Sequence, residues 1–252
     1  MTNFLDSLFS LEGKCAVVTG ASRGLGEAIA IALALAGADV VGVGRSPVSD
    51  PSPEGIFEYK QCDVTDHDEF KVVCENVVDR TGSLDVLVNA AGISYPRVGS
   101  DQEMSDFRET VETNLIAAYS CCNVAVKYMR QGGSGSIINI TSIASLQGFP
   151  ANPAYVASKG GLRALTKALA IDYSEARVRV NSLAPGYFRT SMTEDSFNDR
   201  EEHKKRSART AVARWGVSDD LAGAAVFLAS DASTYVTGID LIVDGGWTAK
   251  GM

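Results

Sequence analysis

No Cys-x-x-Cys spacing occurs in the 252-residue sequence, and its five cysteines, Cys15, Cys62, Cys74, Cys121 and Cys122, are an odd number. This argues against a disulfide framework and against a zinc site, and fits reduced, mostly buried thiols in a cytoplasmic protein. A basic stripe is also missing. Net charge is −8, and the densest basic stretch, residues 203–209, follows Glu194, Asp195, Asp199, Glu201 and Glu202. It reads as a solvated helix face, and no nucleic-acid partner is expected. Long apolar runs are absent: the longest, residues 28–38, is too short to span a bilayer and is interrupted by Gly37, so no membrane association is expected. Residues 1–10 carry Asp6 and no basic region, unlike a signal peptide. Neither an internal repeat nor a linker divides the chain, so residues 1–252 read as one domain. What is present, 45% hydrophobic and 21% charged residues, is the composition of a globular protein with a sizeable core.

The first half alternates strand and helix. Residues 14–19 form a short apolar run, a buried strand, and lead into Gly20-Ala21-Ser22-Arg23-Gly24-Leu25-Gly26. A helix rich in Ala, Leu and Ile follows over 27–36, then a second strand over 39–43. This βαβ unit implies a parallel sheet. A helix N-terminus offers unpaired N–H groups to a pyrophosphate, and glycine lets the backbone come close. The spacing is Gly-x-x-x-Gly-x-Gly, and a merely structural turn is the competing interpretation. At the end of the second strand an acid would bind the ribose 2′-hydroxyl of NAD, and an arginine would take the 2′-phosphate of NADP. Here stand Gly44-Arg45-Ser46, with Arg23 nearby in the glycine turn. NADP is favoured and NAD tolerated.

Residues 47–55 read as loop, 56–61 as a third strand, 66–80 as a helix capped at Thr65-Asp66, and 84–88 as a fourth strand ending in Asn89-Ala90-Ala91-Gly92. Helices are expected over 105–119, containing Asn114, and separately over 121–131. A fifth strand, 136–140, feeds Ser142; a long helix, 153–173, carries Tyr155 and Lys159. A sixth strand over 178–183 ends in Ala184-Pro185-Gly186, a charged amphipathic segment over 192–214 suggests a mobile lid, and a helix over 219–229 precedes a seventh strand over 239–243. Tyr155 and Lys159, four apart on one helix face, make with Ser142 a plausible acid–base site for a carbonyl oxygen.

These motifs, in this order, resemble the short-chain dehydrogenase/reductase family along essentially the whole chain: Thr19-Gly20-x-x-x-Gly24-x-Gly26, Asp63, Asn89-Ala90-Ala91-Gly92, Asn114, Ser142, Tyr155-x-x-x-Lys159 and Pro185-Gly186. Ala90 departs from the family's usual Asn-Asn-Ala-Gly. The resemblance implies an α/β fold: a single doubly wound Rossmann-type domain with about seven parallel strands. It also implies hydride transfer between a nicotinamide cofactor and a secondary carbinol carbon. It makes Tyr155 the acid–base residue, lets Ser142 steady the substrate oxygen, and gives Lys159 the nicotinamide ribose and the lowering of the tyrosine pKa. Asn114 would hold a water linking Lys159 to solvent. Asp63 and Val64 would lie near the adenine, Asn89 near the adenosine ribose and Thr190 near the carboxamide. A tyrosine working near neutral pH needs a shift of about 3 units, roughly 4 kcal/mol. One charge about 4 Å away at a dielectric of about 20 supplies that much, so Lys159 with the oxidised nicotinamide suffices.

Residues 213–216 and 244–247 are similar to members acting on sugar acids, the gluconate 5-dehydrogenase and 2-keto-3-deoxygluconate dehydrogenase types. A small, polyhydroxylated substrate is expected. Candidate substrate residues beside Ser142 and Tyr155 are Ser94, Arg97, Gln147, Asn152, Tyr187 and Arg189, with Arg97 equally readable as a solvated loop arginine. Two alternatives are a 3-ketoacyl-carrier-protein reductase and a non-catalytic nucleotide-binding or scaffolding protein. The family resemblance also implies a homotetramer.

Overall fold

The computed structural model describes residues 4–47, 55–96 and 103–250. A short helix α1 (Phe4–Phe9) precedes β1 (Cys15–Thr19), whose five residues are all buried, as befits the centre of a parallel sheet. The chain continues through α2 (Gly24–Leu35), β2 (Asp39–Gly44), β3 (Glu58–Gln61), α3 (His67–Thr81), β4 (Val86–Asn89), α4 (Met104–Val111), α5 (Ala117–Gly132), β5 (Gly135–Ile140), α6 (Pro153–Asp172), β6 (Val178–Pro185), α7 (Glu194–Asn198), α8 (Arg200–Arg209), α9 (Asp219–Ala229) and β7 (Asp240–Val243). All strands pair in parallel, in the order β3-β2-β1-β4-β5-β6-β7. The order reverses between β1 and β4, which opens a crevice beyond their carboxyl ends.

Alternation along each strand feeds two cores. Val17, Leu87, Ile137 and Val180 face one side of the sheet, where α3, α5 and α6 supply Phe70, Cys74, Met129 and Leu169. Ala16, Val18, Val88 and Ile138 face the other, where α2 and α9 supply Ile29, Leu33, Leu221 and Leu228. All five cysteines are free and buried. Local signals set the helix ends: Asp66 accepts from the backbone N–H groups of Asp68 and Glu69, and Gly82 ends α3 in the left-handed conformation at φ +85°.

Two expectations differ from the structure. Residues 104–132 form one continuous helix rather than two, and Glu112–Ile116 make a π-helical turn within it. The extra residue in that turn bulges the backbone, a device that often marks functional positions. Asn114 lies in the turn and is completely buried. The third strand begins at Glu58 rather than 56, and most of the expected loop over 47–55 lies outside the described residues.

Candidate active site

The turn over residues 20–26 delivers the start of α2 to the crevice. Arg23 precedes the helix in extended conformation with no side-chain cap, so the first N–H groups of α2 have no capping side chain. The three glycines do different work. A Cβ on Gly20 (φ +69°) would lie 2.7 Å from the Ala91 nitrogen, and one on Gly26 would run into the Gly20 carbonyl, so these two lock turn against helix and strand. Gly24 (φ +65°) instead faces the crevice, with only the Thr190 side chain near, at 3.7 Å. This is a backbone cradle with the shape and polarity that a pyrophosphate requires.

One cavity of about 250 Å³ runs from this cradle to the Tyr-Lys pair. Gly20, Ser22, Arg23, Gly24, Leu25, Gly26, Arg45, Ser46, Val64, Ala90, Ala91, Gly92, Ser142, Tyr155, Lys159, Pro185, Gly186 and Thr190 all line it. The β2 end carries no carboxylate. Arg23 and Arg45 are both exposed there, and Arg45 makes a long contact with Glu109, 3.9 Å. The residues fit a 2′-phosphate-bearing nicotinamide dinucleotide.

Two expected cofactor residues turn elsewhere. Asn89 is buried beneath the site and donates to Asn139 Oδ1 at 2.8 Å; Asn139 donates in turn to Thr166 Oγ1 at 2.9 Å. Its side chain braces β4 against β5 and α6 instead of lining the cavity. The Asp63 carboxylate accepts from Thr65 N–H and hydroxyl, at 3.0 and 2.8 Å, and is likewise not in the cavity wall. In both cases a nearer donor or acceptor claims the side chain.

At the other end of the cavity, Ser142 follows β5 in extended conformation, its Oγ accepting from Ala144 N–H at 3.1 Å. Lys159, buried, donates to the Ile140 carbonyl at 2.7 Å and lies 5.8 Å from the Tyr155 ring centroid. Asn114 accepts from Ile93 N–H at 2.8 Å and donates to Ile93 O at 2.9 Å and Ser158 Oγ at 3.1 Å. Its amide ties the loop after β4 to α6, which fixes the height of Lys159. A Cβ on Gly92 would sit 3.3 Å from Asn114 Oδ1 and 3.6 Å from Lys159 Nζ, so a larger residue there would crowd the pair.

Burial dominates the electrostatics. It raises the Tyr155 phenol, opposed by a hydrogen bond with Ser142 and reinforced by the Tyr187 phenol. It lowers Lys159 to about 8. In the protein alone burial thus acts against both charged forms, because the pocket that brings phenol and ammonium together also strips their water. The favourable charge expected from the sequence is that of Lys159 together with the oxidised nicotinamide.

The expected substrate residues divide. Tyr187 is half-buried between two cavity-lining residues, Gly186 and Phe188, is not itself in the lining, and its phenol adds to the upward shift of Tyr155. Asn152 donates to Ser94 Oγ at 2.7 Å, a pair outside the cavity lining. Gln147 is half-buried in the turn after Ser142, Arg189 pairs with Glu194 at 3.2 Å, and Arg97 lies outside the described residues. Nothing local in the sequence signals the aromatic cluster around Tyr187. Trp247 and Trp215 approach its ring at 4.8 and 5.3 Å between centroids, and Phe149 at 6.3 Å. The segment expected as a lid begins at the cavity, where Met192 and Thr193 line it. The Gly245 carbonyl accepts from Ala211 and Val212 N–H at 2.8 and 3.2 Å, which binds the end of this segment to the C-terminal turn. Among the described residues, no helix is long and apolar enough to cross a membrane.

A buried phenol, a serine hydroxyl and a lysine at one end of a dinucleotide-shaped cavity can exchange a proton with a carbonyl or carbinol oxygen. Comparison with known proteins agrees. A family model described as enoyl-(acyl carrier protein) reductase matches residues 20–248. The chain is 38% identical to the 2-dehydro-3-deoxy-D-gluconate 5-dehydrogenase of Bacillus subtilis, over 98% of this chain and 99% of that one. It is 39% identical to the gluconate 5-dehydrogenase of Gluconobacter oxydans, over 96% and 98%. The crystal structure of a gluconate 5-dehydrogenase from Burkholderia cenocepacia in complex with NADP and tartrate matches with a TM-score of 0.92 at 34% identity, covering 99% of this chain and 100% of that one.

Proposed function

The chain belongs to the short-chain dehydrogenase/reductase family, and from that premise we propose that it interconverts a secondary alcohol and ketone on a sugar acid with NADP(H). One observation carries this reading: Ser142, Tyr155 and Lys159 converge in the same cavity as the uncapped start of α2 and the acid-free end of β2. When bound, the nicotinamide supplies or accepts the hydride. The chain's own groups handle the proton and the positioning. Tyr155 gives its proton to the substrate oxygen in reduction and takes it back in oxidation; Ser142 donates to the same oxygen and holds it in line. Lys159 is fixed by Ile140 O and Asn114 is locked to Ile93 and Ser158, so the acid–base group is held on rigid elements. Arg23 and Arg45 favour the 2′-phosphate, and no carboxylate at the β2 end repels it.

The same reading takes residues 1–252 as one domain of a cytoplasmic homotetramer. Five buried free thiols suit a reducing compartment, and exposed Ile116, Tyr119, Ile171 and Tyr235 offer apolar surface to further copies. The test is an absorbance screen of NADP and NAD against sugar acids, neutral polyols and ketoacyl thioesters. We expect turnover with sugar acids and NADP. Equal efficiency with NAD would defeat the role given to Arg23 and Arg45. Turnover of ketoacyl thioesters alone would make the protein a carrier-protein-type reductase, and NADPH binding without turnover would make it a non-catalytic binder.

A further inference from the structure

A cluster around Tyr187, next to the residues that line the cavity, combines aromatic rings with positive charge. Tyr187 stands between Gly186 and Phe188, both lining the cavity, and its phenol adds to the upward shift of Tyr155. The Arg206 guanidinium lies 4.4 Å from the Tyr187 ring centroid and 5.8 Å from that of Trp215. Arg209 lies 4.4 Å from the Trp247 ring centroid, and Trp247 is 4.8 Å from Tyr187. The charges that act on the Tyr187 phenol are Arg206, Glu202 and Arg209, two cations and one anion, leaving one positive charge over. Glu202 is spoken for, since it pairs with Arg206 at 3.1 Å. Arg209 has no carboxylate partner among the described residues, and Trp247 Nε1, buried, has no acceptor there. In a chain of net charge −8, a corner beside the reacting phenol that keeps a spare guanidinium is suited to an anion.

We propose that this corner of Tyr187, Arg206, Arg209 and Trp247 receives the carboxylate of the substrate, with Arg209 as its principal partner, and so selects acids over neutral polyols. The inference builds on the sugar-acid dehydrogenase reading and deepens it. Stacking on the Trp247 face holds the Arg209 guanidinium flat at the corner, in the planar form that binds a carboxylate through two parallel hydrogen bonds. Arg206, already paired with Glu202, holds the Tyr187 ring and contributes field rather than a direct bond.

The corner contains both tryptophans of the protein, Trp215 and Trp247, so intrinsic fluorescence reports on it independently of activity. The NADP-loaded protein is titrated with gluconate, and with sorbitol as neutral control, in the wild type and in Arg209→Gln, an exposed position where folding is not at stake. Gluconate should alter the emission of the wild type and bind at least about tenfold more weakly to the variant, with sorbitol affinity the same in both. In steady state the KM for a sugar acid should rise by more than kcat falls. Wild-type-like gluconate binding in Arg209→Gln, equal losses for gluconate and sorbitol, or no response of the wild type to gluconate would each overturn the proposal. Arg209-dependent gluconate binding without turnover of any sugar acid would leave the corner standing and remove the dehydrogenase reading on which it was built.

Discussion

The cofactor cradle, which lines the cleft, and the aromatic corner, which adjoins it at Tyr187 between Gly186 and Phe188, are built by opposite means. The cradle is backbone: seven consecutive residues, 20–26, whose N–H groups and missing side chains shape the space. The corner is side chain: Phe149, Tyr187, Arg206, Arg209, Trp215 and Trp247 come from scattered parts of the second half of the chain and meet only after folding. The first is intolerant of a single added carbon. The second can exchange side chains while its frame stands, which suits a common cofactor at one end and a particular substrate at the other.

The contrast can be broken or sharpened by substitution. Tyr155 lies where the two halves meet, so Tyr155→Phe should lose about 10²- to 10⁴-fold in kcat while retaining NADP affinity, measured by steady-state kinetics and by cofactor titration. Wild-type turnover in that variant would move the acid–base role elsewhere. In the cradle, Gly20→Ala forces a left-handed φ on alanine and a 2.7 Å approach to the Ala91 nitrogen; we expect a loss of about 3 kcal/mol in chemical denaturation and weakened NADP binding.

Lys159 gives a pH signature. Burial lowers it to about 8 from 10.5. Between those values the unfolded chain holds a proton that the folded protein has released, so the lysine's contribution to stability rises as the pH climbs from about 8 to about 10.5. Comparing Tm against pH, that increment should vanish in Lys159→Met, and turnover with it; parallel Tm curves for the two proteins would contradict the burial. The smallest effect belongs to the corner. Trp247→Phe removes an N–H that has no acceptor among the described residues, so the lost ring area is offset and thermal denaturation should shift by less than about 1 kcal/mol. A loss as large as that of Gly20→Ala would make the corner as rigid as the cradle.

Legibility followed the same division. The βαβ opening, the β2 end and the helix over 219–229 were readable because each depends on neighbours in sequence. For Asn89 and Asp63 the motif position does not tell which partner the side chain takes, and in the folded chain these are Asn139 and Thr65. The π turn at Asn114 left no mark in the periodicity, since one inserted residue looks like ordinary scatter in a helical pattern. The charge pattern of the segment over 192–214 does not show that its far end is tied to Gly245, a contact made only in the folded chain.

By itself, then, the sequence determined the parallel sheet, the pyrophosphate cradle, the preference for a phosphate-bearing ribose and the spacing of Tyr155 and Lys159. Turn chemistry, strand alternation and helix periodicity are local, and act over a few residues. Only the tertiary structure decided which side chains face the cleft, that burial opposes the expected shift of Tyr155, and that two tryptophans, a tyrosine and two arginines share one corner. Those outcomes depend on contacts between segments far apart in the chain, whose geometry exists only once the sheet has brought β6, α8 and the C-terminal turn together.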